Sequence, residues 1–260
     1  RPRRERDGGL PRAQSRRARS VLVSDPTSES SALMPAAVEA LRGTGIPVAA
    51  VSTGFPAGLS PFPQRVAEIR ASVEAGADEI DVVITRGHVL SGDWQALYDE
   101  VRTFREACGD AHIKVILGTG ELGTLRNVAR ASVVAMMAGA DFIKTSTGKE
   151  PVNATLPVGL VMVRAIRDYL ERTGYRVGFK PAGGIRTAKD SLDWLAMMKD
   201  ELGEPWLRPE LFRFGASGLL ADIERKGLTV LDDVPRSGAH LSALGIGEGD
   251  HAAEECHAHL

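Results

Sequence analysis

A fold of parallel strands alternating with helices, either a β/α barrel or a doubly wound sheet, is predicted for this 260-residue chain by three observations. Short β-branched runs alternate with longer segments whose apolar residues fall three and four apart. The junction "AGAD" occurs twice, at Ala75 and at Ala138, each time where a helical pattern hands over to a strand. The strand cores are apolar without alternation, as parallel strands covered on both faces must be.

The strands are read, in order, as "SVLVS" from Ser20, "PVAAVST" from Pro47, "EIDVVI" from Glu79, "IKVILG" from Ile113, "DFIKTS" from Asp141, "VGFKPA" from Val177 and "LFRFGA" from Leu211. Between them, "FPQRVAEIRASVEAG", "LYDEVRTFREAC", "LRNVARASVVAMMAG" and "PVGLVMVRAIRDYLERTG" have helical spacing. Gly76, Gly139 and Gly174 stand where a helix needs a left-handed residue to end it.

The ends differ from this body. Residues 1–19 hold eight arginines and almost no apolar periodicity, and read as an unstructured basic extension; nucleic-acid contact or a transit signal are the other uses of such a segment. Residues 235–260 read as a frayed tail, in which His251, Cys256, His257 and His259 are the candidates for a metal, although none is expected there. The body, 20–234, is taken as one domain. A net charge of -2 gives no global argument for a nucleic-acid or membrane partner, and two cysteines far apart suit a reducing compartment, so a cytoplasmic protein is expected.

Two phosphate-loop patterns are weak. "GTGELG", Gly118 to Gly123, matches the dinucleotide fingerprint, but the acidic Asp141 precedes its strand rather than ending it, where it would reach a ribose. "STGK" lacks the first glycine of a Walker loop and is followed by Glu150 instead of a hydroxyl residue.

The lysines carry more. In "DFIKTS" Lys144 shares a strand face with Phe142, so if Ile143 meets the helices the amine points inward. "VGFKPA" places Lys180 inward on the next strand, about 4.8 Å away. A second ammonium about 6 Å off, at an effective dielectric near 20, contributes roughly 3 kcal/mol of repulsion, or about two pKa units. Desolvation adds to this and favours a neutral amine able to attack a carbonyl. Asp81, in mid-strand, needs a buried partner, and the lysine pair supplies it. A structural salt bridge is the alternative for these charges. Anion-holding features follow at the same strand ends: the pair Gly183 and Gly184 leading into a helix, Ser217 and Gly218 at another helix start, and the charge of Lys149. A phosphorylated carbonyl compound is the substrate class these features suit.

"EIDVVI", "ILGTGELGT", "DFIKTSTGK", "GFKPAGGIRTAKD" and "FRFGAS" occur together and in order as in deoxyribose-phosphate aldolases, and the chain resembles that family, its animal-type members above all, from about Val48 to Glu224. The resemblance implies a TIM (β/α)8-type barrel, a Schiff base on Lys144, tuning and proton relay by Lys180, and proton exchange through Asp81. It places phosphate on Lys149, Gly183, Gly184, Ser217 and Gly218, with Thr145 and Thr147 touching substrate. The implied reaction cleaves 2-deoxyribose 5-phosphate reversibly with no metal or organic cofactor, and a homo-oligomer is compatible with it. A barrel that binds sugar phosphate without turnover and a nucleotide-dependent oxidoreductase are the competing readings. The front departs from the family: nothing in residues 1–19 matches its first strand, and "VLVSDP" stands where "VCVYP" is usual. The first β/α unit is therefore expected to be missing, leaving a gap between the strand at Val21 and the strand at Leu211.

Overall fold

A computed structural model describes residues 20–23, 30–226 and 257–259; the predicted basic extension and most of the C-terminal tail lie outside the described residues. Strand β1 (Ser20–Val23) leads to α1 (Ser30–Leu41), β2 (Val48–Ser52), α2 (Phe62–Glu74) and β3 (Glu79–Val83). A short α3 (Arg86–Ser91) precedes α4 (Trp94–Cys108), β4 (His112–Ile116), α5 (Leu125–Met137), β5 (Phe142–Lys144), α6 (Leu156–Thr173), β6 (Gly178–Lys180), α7 (Ala188–Leu202) and α8 (Leu219–Lys226).

Strands β1 to β6 pair in chain order, all parallel, with a helix after each. The seventh predicted strand runs beside β6 as two parallel bridges, Phe179 to Phe212 and Ala182 to Gly215. Its ladder is continuous: Phe179 N donates to Leu211 O, Arg213 N to Phe179 O and Gly215 N to Pro181 O. The α/β barrel-type architecture is thus as read from the sequence, and the sheet is not closed. Among the described residues no parallel strand precedes β1.

One expectation needs correction. The tail contributes β7 (His257–His259), which pairs antiparallel with β1, so that edge carries a strand where an open gap is predicted. A strand edge offers unpaired amides and carbonyls to any extended segment that reaches it, which composition alone does not reveal.

Two strand faces divide the interior. Ile80, Val82, Ile84, Ile113, Val115, Leu117, Ile143 and Phe179 join one buried cluster with the helices, through Val101 and Phe104 of α4 and Met162 and Ile166 of α6. The alternate residues face inward, where Ala49 and Val51 form a separate small cluster. Gly76 and Gly139 take φ of 97° and 100°, the left-handed endings predicted for α2 and α5. No helix among the described residues is long and apolar enough to cross a membrane.

Candidate active site

Strand alternation brings six charged side chains to the inward face: Glu79 and Asp81 of β3, Lys114 of β4, Lys144 of β5, Lys180 of β6, and Arg213 of the segment beside β6. All are buried, with Asp81, Lys114 and Lys180 at 0% exposure. Lys144 and Lys180 are direct register partners, as are Asp81 and Lys114.

The carboxylate of Asp81 is the hub. Its Oδ2 accepts from Lys144 Nζ at 2.8 Å and from Lys180 Nζ at 2.7 Å, and its Oδ1 accepts from Lys114 Nζ at 3.1 Å. Lys114 also donates to Glu79 Oε2 at 2.6 Å, the oxygen that Arg213 Nη1 reaches at 2.6 Å. Small residues make the room. A Cβ on Gly178 would stand 2.3 Å from the Phe142 ring, and one on Gly215 would stand 2.6 Å from Ala182 Cβ and 3.5 Å from Lys180 Cε. The ring of Phe142, fitted over Gly178, lies 5.4 Å beneath the Arg213 guanidinium.

The electrostatics follow from burial and neighbours. Burial holds Lys180 well below the ordinary lysine range, and the Lys144 and Lys114 charges push it the same way against the pull of Asp81. Lys180, expected from the sequence to sit beside Lys144, bonds the same Asp81 oxygen. Burial alone would raise Glu79, but Lys114 and Arg213 outweigh it and hold the carboxyl below its usual value.

The three predicted anion loops converge. Gly183 N donates to Gly215 O at 3.0 Å, two residues before Ser217, and a Cβ on Gly148 would come within 3.9 Å of the Gly183 Cα. Gly183 and Gly184 have φ of 81° and 85°. Lys149, Gly184, Ser217 and Gly218 are exposed at this rim, the last two directly before α8. Thr145 and Thr147 are turned to the loops themselves. Thr145 Oγ1 accepts from Ala182 N at 3.0 Å, and Thr147 Oγ1 donates to Glu150 Oε1 at 3.0 Å.

Lys114, Glu79 and Arg213 are the members that the sequence reading missed. The signal was present, since each sits on the inward face of a strand already recognised, and the alternation argument used for Lys144 selects them too. The "GTGELG" loop, in contrast, is filled by the protein itself. A Cβ on Gly120 would lie 2.2 Å from Val152 O, and one on Gly118 would lie 2.6 Å from Arg86 Cδ, so these glycines admit neighbouring chain rather than a pyrophosphate. Among the described residues no cluster of His, Cys, Asp and Glu could hold a metal ion.

The model of the DeoC/LacD family aldolases matches residues 49–224. The human deoxyribose-phosphate aldolase is 66% identical over 192 residues and the mouse one 67%, each match covering 73% of this chain and 60% of the relative. The chain therefore spans 60% of the length of these relatives. A crystal structure from Coccidioides immitis described as a deoxyribose-phosphate aldolase superposes with a TM-score of 0.64 at 30% identity, over 76% of this chain and 71% of that one. With the matched region running from β2 into α8 and holding every member of the lysine and carboxylate cluster, the chain belongs to the DeoC/LacD family of aldolases.

Proposed function

We propose that this chain is a class I aldolase that cleaves 2-deoxy-D-ribose 5-phosphate reversibly to D-glyceraldehyde 3-phosphate and acetaldehyde, with Lys144 forming the Schiff base. The observation that carries this reading is the single Asp81 oxygen bonded by both Lys144 and Lys180 in a buried interior. The 66% identity to the human deoxyribose-phosphate aldolase supports the choice of substrate.

The chemistry starts from a proton exchange. Lys144 and Lys180 bond the same oxygen of Asp81, so a proton leaving Lys144 passes to Asp81 across one hydrogen bond and can go on to the amine of Lys180 across a second. Neutral Lys144 then attacks the C1 aldehyde of the open-chain sugar. Loss of water from the carbinolamine, with protons carried by Asp81 and Lys180, leaves a protonated imine. Removal of the C3 hydroxyl proton forms the C3 carbonyl as the C2–C3 bond breaks, and its electron pair flows into the imine to give an enamine. Protonation at C2 and hydrolysis release acetaldehyde and restore the lysine. Lys149, Gly183, Gly184, Ser217 and Gly218 hold the phosphate, with Gly183 shaping the loop, Gly184, Ser217 and Gly218 offering backbone amides and a helix start, and Lys149 its ammonium. The near-neutral charge and the absence of any cysteine pairing pattern suit a cytoplasmic enzyme of small molecules, with neither nucleic acid nor membrane as partner.

Incubation with acetaldehyde and borohydride followed by peptide mass mapping tests the reading. Irreversible modification of Lys144 is the expected result, with Lys144→Met losing the label and at least about 10,000-fold in turnover. An unlabelled wild-type protein that still binds sugar phosphate would leave only the non-catalytic barrel.

A further inference from the structure

Glu150 is a carboxylate set inside a loop whose proposed task is to hold an anion. It lies one residue beyond Lys149 and points back into the turn. Its Oε1 accepts from Thr147 N at 2.9 Å and from Thr147 Oγ1 at 3.0 Å, and Thr147 Oγ1 in turn accepts from Lys149 N at 3.1 Å. Its backbone carbonyl receives Asn153 Nδ2 at 2.7 Å. Asn153 stands against the neighbouring loop, since a Cβ on Gly183 would fall 2.7 Å from Asn153 Cβ, and Ala154 N donates to Ala182 O at 3.2 Å. The Thr147–Lys149 turn and the Gly183–Gly184 loop are therefore held in one arrangement through Glu150 and Asn153.

We propose that Glu150 is a positioning residue of the phosphate subsite, fixing the Thr147–Lys149 turn against the Gly183–Gly184 loop so that both present their groups to one phosphate. This rests on the assignment of those loops to phosphate.

Two features favour this over simple loop filling. The second oxygen, Oε2, is buried with no hydrogen-bond partner, which is unfavourable for a polar group. A loop selected for stability alone would place a residue without that penalty here. The carboxyl also acts through one acceptor oxygen: both Thr147 groups reach Oε1, while burial raises the carboxyl's proton affinity and the Thr147 bonds lower it. The acceptor oxygen is the needed property, and the negative charge is incidental.

The prediction is specific to the acceptor. In Glu150→Ala the dissociation constant for inorganic phosphate, measured by calorimetry on the full chain, rises about tenfold, as expected for losing one to two hydrogen bonds. Glu150→Gln keeps the acceptor and restores binding to within about twofold. In turnover, the preference of Glu150→Ala for 2-deoxyribose 5-phosphate over 2-deoxyribose, as a ratio of kcat/KM, falls by the same factor through KM. Equal losses on both sugars, unchanged phosphate binding in Glu150→Ala, or a Glu150→Gln variant as weak as Glu150→Ala would each overturn the inference. The phosphate titration reads it even if Lys144 fails to trap acetaldehyde, so the two readings fail separately.

Discussion

Two sets of buried charges lie within one barrel wall of each other, and they are built on opposite plans. Arg65 of α2 and Glu100 of α4 meet at 2.7 Å with side-chain exposures of 3% and 4%. Both make further bonds: Arg65 donates to Thr53 O, Val83 O and Thr85 Oγ1, and Glu100 accepts Thr85 N and Thr85 Oγ1. One cation is paired directly with one anion, with the Glu68 carboxylate also within reach of the Arg65 charge, and neutral hydrogen bonds wrap the pair. In the inward cluster, four cations among the described residues, Lys114, Lys144, Lys180 and Arg213, face Glu79 and Asp81. A matched pair ties loops to helices; in the crowded cluster burial, with the Lys144 and Lys114 charges beside it, lowers the proton affinity of Lys180. Burial of charge marks structure or chemistry according to that balance.

Removing the hub should have the largest effect. Asp81→Asn leaves three lysines without their shared carboxylate, so stability is expected to fall by about 3 kcal/mol and turnover of the folded protein by at least about 100-fold. Denaturant melts and steady-state kinetics on one preparation check both. Arg65→Met separates the two plans: stability falls by about 3 kcal/mol because Glu100 is left buried and unpaired, while turnover of the folded fraction stays within about threefold. A turnover loss comparable to that of Asp81→Asn would erase the distinction.

The smallest effect concerns pH. Lys180 is harder to protonate in the folded chain than in the unfolded one, where its value is about 10.4. Between the depressed value and the ordinary one, the unfolded chain binds more protons, so stability contributed by this group rises with pH across that window. Lys180→Met should flatten this rise, measurable as the difference in chemical-denaturation midpoints between neutral pH and about pH 10.

The body of the fold was legible because its signals are local. The predicted helices around Val66, Val101, Val128 and Ile166 match α2, α4, α5 and α6, and all seven strand positions carry strand or ladder pairing. Lys144, Lys180 and Asp81 were placed together because alternation and strand order are readable from residues alone. Two things were not. The lowered proton affinity of Lys180 depends on its complete burial and on the Lys144 and Lys114 charges around it, which follow from the folded cluster. The pairing of β7 with β1 joins residues far apart in the chain, and no periodicity announces it.

The hydrogen bonds that assemble the hub span long stretches of chain. Lys144 lies 63 residues from Asp81, Lys180 lies 99 away, and Arg213 reaches Glu79 across 134 residues. Contacts of such separation close large loops and form late as a chain folds. Until they form, Lys144 lacks the Asp81 and Lys180 neighbours that the folded chain gives it. On the proposed role of Lys144, reactivity is a property of the completed fold, because a partly folded chain has the lysine without the carboxylate and second amine that surround it.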